Sequence, residues 1–290
     1  MLQVHKNPNQ INSFIQQLIQ NGVADVYVHI DKKHYRPLSE KIIKHPNVVV
    51  LREAAEIHWG DISQVDATLM LLQEVVRSGR EYDFVCLRSG QDLLVKNGFK
   101  QFLENGSDQI LMTAQFIDRK RADAALPCSA WPAFMRRQRP YYDPGRMLRL
   151  LTIRLYGKGI RLFPKKRALP DEYSLYHGSA WFCMPLEAVR YILRFLEENR
   201  WYYEFFQDAL CPDEWFFQTI MMNSPFKSKV VNNNQTYLIW GTSRKERNSP
   251  IVLKMSDIDL IQNSGRFFAR KFDENVDPQI IDYFRESVTM

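Results

Sequence analysis

The chain has 290 residues, 45% hydrophobic and 25% charged, with a net charge of +6; this is an ordinary globular mix, long enough for one large domain or two small ones. No stretch approaches the ~20 uninterrupted apolar residues of a membrane span, and the N-terminal MLQVHKNPNQ lacks the basic, apolar, small-residue order of a secretory signal. The expectation is a cytoplasmic protein in which Cys86, Cys128, Cys183 and Cys211, scattered and without a CxxC pair, stay reduced.

Over the first 117 residues strand and helix patterns alternate. DVYVHI (25–30), NVVVL (47–51), YDFVCLR (82–88) and QILMTAQFI (109–117) are short runs of buried-strand type. Between them, INSFIQQLIQNG places Ile11, Phe14, Ile15, Leu18 and Ile19 at helical spacing before Asn21-Gly22. SQVDATLMLLQEVVRSG opens on Ser63 and closes on Gly79 in the same way. This alternation predicts an α/β fold: a mostly parallel twisted sheet with helices on both faces, and ligands beyond the carboxyl ends of its strands.

Residues 118–170 break the rhythm with six prolines and one possible helix around 145–156, and read as a long excursion over the surface. Order returns with a strand in SLYHGSAWFCMP (174–185), an amphipathic helix in LEAVRYILRFLEEN (186–199), a strand in TYLIW (236–240) and closing helices near 256–264 and 277–286. Nothing in the composition marks a second independent domain, so residues 1–290 are expected to form one.

The charge is uneven. Residues 119–167 hold 14 lysines and arginines against two acids, Asp123 and Asp143, so the rest of the chain is net negative. Such a segment suits an anionic membrane surface or an acidic acceptor as well as a solvated connection. It lacks the regular aromatic interleaving and recognised modules of nucleic-acid binders, and no nucleic-acid partner is expected.

The usual chemical fingerprints are missing: no Walker loop, GxGxxG, HExxH, Cys/His cluster or GxSxG elbow occurs. The one Asp-x-Asp string, Asp257-Ile258-Asp259, falls at a helix start, where N-capping accounts for it. CPDEWFFQTIMMNSPF (211–226) leaves two readings open. Pro212 with Asp213 and Glu214 describes an ordinary first helical turn. A carboxylate among Trp215, Phe216 and Phe217 also describes a general base. FFARKFDE (267–274) offers Arg270 and Lys271 as fixed positive charge beside aromatic side chains.

Seven strings keep one order along the chain: VHKNP (4–8), VHIDKK (28–33), WGDISQVDATLMLL (59–72), LRSGQDLLVK (87–96), GSAWFCMP (178–185), PDEWFFQTIMMNSPF (212–226) and FARKFD (268–273). In this the chain resembles the Core-2/I-branching family, glycosyltransferase family 14, which holds β-1,6-N-acetylglucosaminyltransferases and protein O-xylosyltransferases. The resemblance implies a single GT-A-like, Rossmann-like domain that transfers a sugar from a UDP-sugar with inversion and without a metal or other cofactor.

By the same resemblance Glu214 matches the family's base and Lys271 its diphosphate-binding lysine, with Arg270 beside it. Asp31 matches the aspartate near the nucleotide base, Asp92 the acid on the donor side, and Val4 and His5 the opening strand at the donor. Trp181 and Trp240 match tryptophans placed to stack on acceptor sugar. The chain departs from the pattern at Leu94, which replaces a proline, at Arg88, which replaces a leucine, and in having only three residues before Val4. For a second basic residue at the diphosphate Arg244, Lys245, Arg247 and Lys254 all qualify. The expected partners are a UDP-sugar, a glycan or lipid-linked glycan acceptor, and an anionic membrane met by 119–167 at the inner face. The alternatives are a non-catalytic nucleotide-sugar- or glycan-binding module of the same fold, which the presence of both Glu214 and Lys271 opposes, and a basic nucleic-acid-binding protein acting through 119–167.

Overall fold

The computed structural model describes residues 1–137, 140, 142–242 and 249–290. Its strands in chain order are β1 (Leu2–Val4), β2 (Val26–Ile30), β3 (Val48–Val50), β4 (Phe84–Ser89), β5 (Leu93–Leu94), β6 (Ile110–Met112), β7 (Gln115–Ile117), β8 (Leu175–His177), β9 (Phe182–Pro185), β10 (Val230–Asn232), β11 (Thr236–Tyr237) and β12 (Phe268–Ala269). The fold is mixed α/β with mostly parallel strand pairs, the class that the alternating patterns predict. The chain divides into two compact units. One comprises Met1–Ala54, Cys86–Ser107 and Gln235–Met290; the other comprises Ala55–Val85 and Asp108–Asn234.

In the first unit β4, β1, β2 and β3 lie side by side in that order, all parallel, with Leu2 opposite both Val28 and Arg88. All five residues of β2 are buried, as a strand covered on both faces requires. The helix Pro8–Ile19 turns Ile11, Phe14 and Ile15 fully inward. Two glutamines share that inner face, and each must be paired to be tolerated there. Gln17 Nε2 donates to the carbonyls of Leu94 (2.9 Å) and Phe284 (2.7 Å), and Gln10 Nε2 donates to that of Gly90 (2.9 Å).

Gly90 has no room for a side chain, since a Cβ would stand 2.9 Å from Val4 Cγ1 and 3.1 Å from Ile11 Cγ1. The turn after β4 is thereby pressed against the end of β1. Beside these strands β12 pairs in parallel with β11 and antiparallel with β5. Phe268 of β12 meets Phe99 edge-on at 4.8 Å.

In the second unit β6 pairs in parallel with β10 and antiparallel with β9, and β7 pairs antiparallel with β8. Residues 109–117 and 174–185, each expected to be one strand, are both interrupted. The cause is one contact: a Cβ on Gly178 would lie 1.8 Å from the carbonyl oxygen of Thr113, and the Ser179 amide donates to Thr113 Oγ1 at 2.6 Å. Both chains turn where they touch, so each run yields two strands. The helices Ser63–Arg77 and Leu186–Glu198 form where the periodicity places them.

The excursion expected over 118–170 is more ordered than its prolines suggest. It contains the helices Ala125–Cys128, Ala133–Arg136 and Pro144–Gly157. Ala125, Trp131, Met135 and Tyr156 join Leu210 in a buried cluster, with the Trp131 and Tyr156 rings 5.3 Å apart. These aromatics lie too far apart in the sequence to show a period.

The expectation of four reduced cysteines is corrected. Cys86 and Cys183 are disulfide-bonded, whereas Cys128 and Cys211 are free. Spacing along the chain does not disclose which sulfurs a fold brings within bonding distance. Among the described residues no helix is long and apolar enough to cross a membrane.

Candidate functional site

Glu214 ends a single 3-10 turn, Pro212–Glu214, ahead of the helix Phe216–Met222. The turn is held from both sides. Cys211, at a left-handed φ of 51°, donates its amide to the carbonyl of Gly60 at 3.0 Å. Gly60 itself has φ +81°, and a Cβ there would lie 2.5 Å from the Arg136 carbonyl oxygen, so only glycine fits. Four residues on, Gln64 Nε2 donates to Asp213 Oδ2 at 3.3 Å. On the far side the Gly178 amide donates to the Glu214 carbonyl at 2.8 Å, and Gln218 Nε2 donates to the Ser179 carbonyl at 2.7 Å. The strings 59–72, 178–185 and 212–226 thus converge on one turn.

The two acids of that turn are not equivalent. Asp213 Oδ1 is out of solvent and has no hydrogen-bond partner among the described residues. Burial first, and then the neighbouring Glu214 charge, push the Asp213 carboxyl up to about 8. Glu214 instead keeps 45% of its side chain exposed, and its Oε2 lies 3.1 Å from Nε2 of His177. The His177 ring packs on the buried Trp215, centroids 4.7 Å apart. Asp213 therefore has one carboxyl oxygen shut away from solvent and is pushed up by burial, while the Glu214 side chain is half exposed and meets an imidazole. The turn does precede a helix, as the first reading expects. Trp181, partly exposed, sits on the loop that follows Gly178, with its amide donating to Ser179 Oγ at 3.4 Å.

In the first unit the remaining candidates collect at the carboxyl ends of parallel strands. β1 ends at Val4, β2 at Ile30 and β4 at Ser89. The strand order turns back at β1, and a crevice for ligands forms at such a reversal. Val4 is itself buried at 3% exposure, while His5 is exposed. The Asp31 amide donates to the Val4 carbonyl at 2.9 Å, and the Asp31 carboxylate accepts from the Lys33 amide at 3.1 Å.

Asp92 is wholly buried. Its Oδ1 lies 3.4 Å from Arg270 Nε. Burial pushes the Asp92 carboxyl up, against the opposing pull of Arg270 and Arg88. Arg88, almost fully buried, stacks its guanidinium 3.9 Å over the Phe268 ring and donates to Thr236 Oγ1 at 2.9 Å. A charge inside a buried strand needs such partners. That is the physical content of the departure at position 88.

Lys271 Nζ donates to Ser249 Oγ at 2.6 Å. Burial first, then the charges of Arg270 and Lys6, lower its ammonium to about 8. The His5 imidazole is lowered as well, by partial desolvation and then by Lys6, with Asp31 opposing. Arg270 and Lys6 have Asp92 and Asp273 as counter-ions, while the partner of Lys271 is the uncharged Ser249 hydroxyl. Lys6 and Asn7 anchor the turn after β1 to Asp273 at 2.6 and 3.0 Å, so 4–8, 87–96 and 268–273 meet as a second constellation. A cavity of about 650 Å³ adjoins Asp31, lined by Lys32, Lys33, Tyr35, Arg36, Arg52 and Glu53. Lys271 and Asp92 are not part of its lining.

The structure therefore gathers Val4, His5, Asp31, Asp92, Arg270 and Lys271 in one unit, and Glu214 with Trp181 in the other. Trp240 belongs to the first unit, is 57% exposed, and bridges through its backbone to Pro250. Of the candidates for a further diphosphate ligand, Arg244, Lys245 and Arg247 lie outside the described residues. Lys254 is exposed, and its amide donates to Asp257 Oδ2 at 2.8 Å at the start of the helix Ile258–Asn263. Sequence reasoning missed His177, Lys6 and Ser249. His177 had a signal, since it immediately precedes the Gly178 that no other residue could replace.

The fold is that of an α/β protein with mostly parallel strand pairs. The sequence profile of the Core-2/I-branching enzyme matches residues 1–121 and 143–262, and the chain belongs to that family. It is 22% identical to a xylosyltransferase of Ciona intestinalis, over 89% of this chain and 30% of that protein. It is 22% identical to the beta-1,3-galactosyl-O-glycosyl-glycoprotein beta-1,6-N-acetylglucosaminyltransferase 4 of Mus musculus, over 99% and 64%. It is 24% identical to the beta-glucuronosyltransferase GlcAT14A of Arabidopsis thaliana, over 84% and 54%. The chain thus spans only part of each relative's length.

Proposed function

We propose that the chain is an inverting glycosyltransferase that moves a sugar, N-acetylglucosamine or xylose, from a UDP-sugar to a hydroxyl of a glycan acceptor. Glu214 takes the proton of the acceptor hydroxyl as that oxygen attacks the anomeric carbon. The bond from that carbon to UDP breaks on the opposite face. Lys271 holds the departing diphosphate, and Arg270, fixed by Asp92, adds positive charge behind it. Asp31 and His5 serve the nucleotide side, and the exposed faces of Trp181 and Trp240 stack on acceptor sugar. Cations in place at the diphosphate make a metal unnecessary in this reading. The acceptor is a glycan or a lipid-linked glycan, with the basic segment 119–167 meeting an anionic membrane.

The observation that carries the proposal is the inequality within the turn: Asp213 Oδ1 is shut away from solvent, while Glu214 is half exposed and lies 3.1 Å from His177 Nε2. The test is Glu214→Gln with UDP-sugar transfer as readout. The variant should keep its melting temperature and lose roughly 10²–10⁴-fold in kcat, the usual contribution of positioned proton transfer. Normal turnover by the folded variant would end the assignment of the base. Activity should also survive EDTA; loss that manganese restores would overturn the metal-free part.

A further inference from the structure

The helix Pro144–Gly157 is inverted with respect to a helix of a water-soluble core. The face it buries carries Arg149 (8% exposed), Thr152 (0%) and Tyr156 (2%). Arg149 spends its guanidinium on the carbonyls of Met135 and Arg136, at 3.2 and 3.3 Å, and Tyr156 accepts the Phe163 amide at 3.3 Å. The face it exposes is apolar: Met147 is 62% exposed, Leu148 40%, Leu150 44% and Leu151 51%. Amphipathic helices of globular proteins do the opposite. A contiguous exposed apolar ridge of this kind marks an interaction surface.

The charges around the ridge say what it meets. Arg154 and Lys158 follow Met147, Leu150 and Leu151 on the same side, at the i+7 and i+11 positions from Met147, and both are exposed. Beyond the helix, exposed Ile160 and Leu162 alternate with Lys158 and Arg161. No acidic residue occurs between Asp143 and Asp171. A second copy of the chain would bring these cations against each other. A bilayer surface with anionic lipid complements both features, with apolar side chains entering the headgroup region and the cations meeting lipid phosphates.

We infer that the Met147–Leu151 ridge of this helix is an interfacial anchor, lying in the plane of an anionic membrane with Arg154 and Lys158 at the headgroups. This rests on the membrane contact proposed above for 119–167 and specifies which side chains make it. It does not depend on the role of Glu214.

Flotation of the full chain with phosphatidylglycerol-containing vesicles and with pure phosphatidylcholine vesicles, at low and high salt, tests it. The chain should float with the anionic vesicles only, less so at high salt. Leu150→Ser with Leu151→Ser should reduce binding about tenfold or more, since each leucine inserted contributes buried apolar area. Both leucines are exposed, so the melting temperature should not move. If the wild type fails to bind anionic vesicles, the membrane reading and the anchor both fall. If it binds and the double variant binds equally, the anchor falls and the charge-based contact survives. A wild-type dimer that the double substitution dissociates, with no vesicle binding, would assign the ridge to a second copy instead.

Discussion

His177 Nε2 stands 3.1 Å from Glu214 Oε2, on a ring packed against Trp215. This pair ties the last residue of β8 to the acid whose carbonyl is held by the Gly178 amide. Two contacts therefore fix one residue, at its backbone and at its carboxylate. Removing the imidazole should loosen the carboxylate without moving the turn. For His177→Gln the expected result is a fall in kcat of about tenfold, the lower end of what misplacing a reacting group costs, with KM for the UDP-sugar unchanged. A change confined to KM would mean that His177 serves binding and does not position Glu214.

The diphosphate contact proposed for Lys271 predicts a pH dependence of definite sign for nucleotide binding. In the free protein its ammonium is lowered to about 8. A bound diphosphate favours the charged form and raises it, so binding takes up a proton above pH 8. Affinity for UDP should be flat below about pH 8 and weaken above it, by up to about tenfold per pH unit. Calorimetric titration at pH 7 and pH 9 reads this directly, and Lys271→Met should be weaker and flat. A wild-type affinity independent of pH would remove Lys271 from the diphosphate.

Asp213 leaves a signature in stability. Its folded value of about 8 exceeds the ~3.9 of an unfolded aspartate. Between those values the folded chain keeps a proton that the unfolded chain has released. The unfolded state binds fewer protons there, so wild-type stability declines as pH rises from about 4 towards 8. Asp213→Asn is nearly isosteric and does not titrate. The melting temperature of the variant should gain on the wild type steadily from pH 5 to pH 8, and a constant gap across that range would contradict a protonated Asp213.

Thiol counting checks the cysteine state. In denaturant without reductant the chain should show two reactive thiols, those of Cys128 and Cys211, and four after reduction, the total in the sequence. In the folded state both free thiols should react slowly, because burial pushes each of them up. Four thiols without reductant would show that Cys86 and Cys183 are not bonded.

The strands that end at Ile30 and Val50 and the helices Ser63–Arg77 and Leu186–Glu198 were legible because local periodicity carries them: a buried strand is a run, and a half-buried helix repeats at 3.6. The breaks within 109–117 and 174–185 were not, since they come from a glycine touching a carbonyl 65 positions away. The order of seven short strings determined the family, as the profile match confirms, and several candidate residues lie at the carboxyl ends of strands.

What tertiary structure alone decided is which acid of the Pro-Asp-Glu turn stays wet and which way the helix Pro144–Gly157 faces. Both are matters of burial. Two adjacent carboxylates are the same chemistry along a chain, and a ridge of leucines reads as core in any sequence. Only the neighbours that fold around them, Gln64 and His177 for the acids and the Met135 and Arg136 carbonyls that capture Arg149 for the helix, set their solvation.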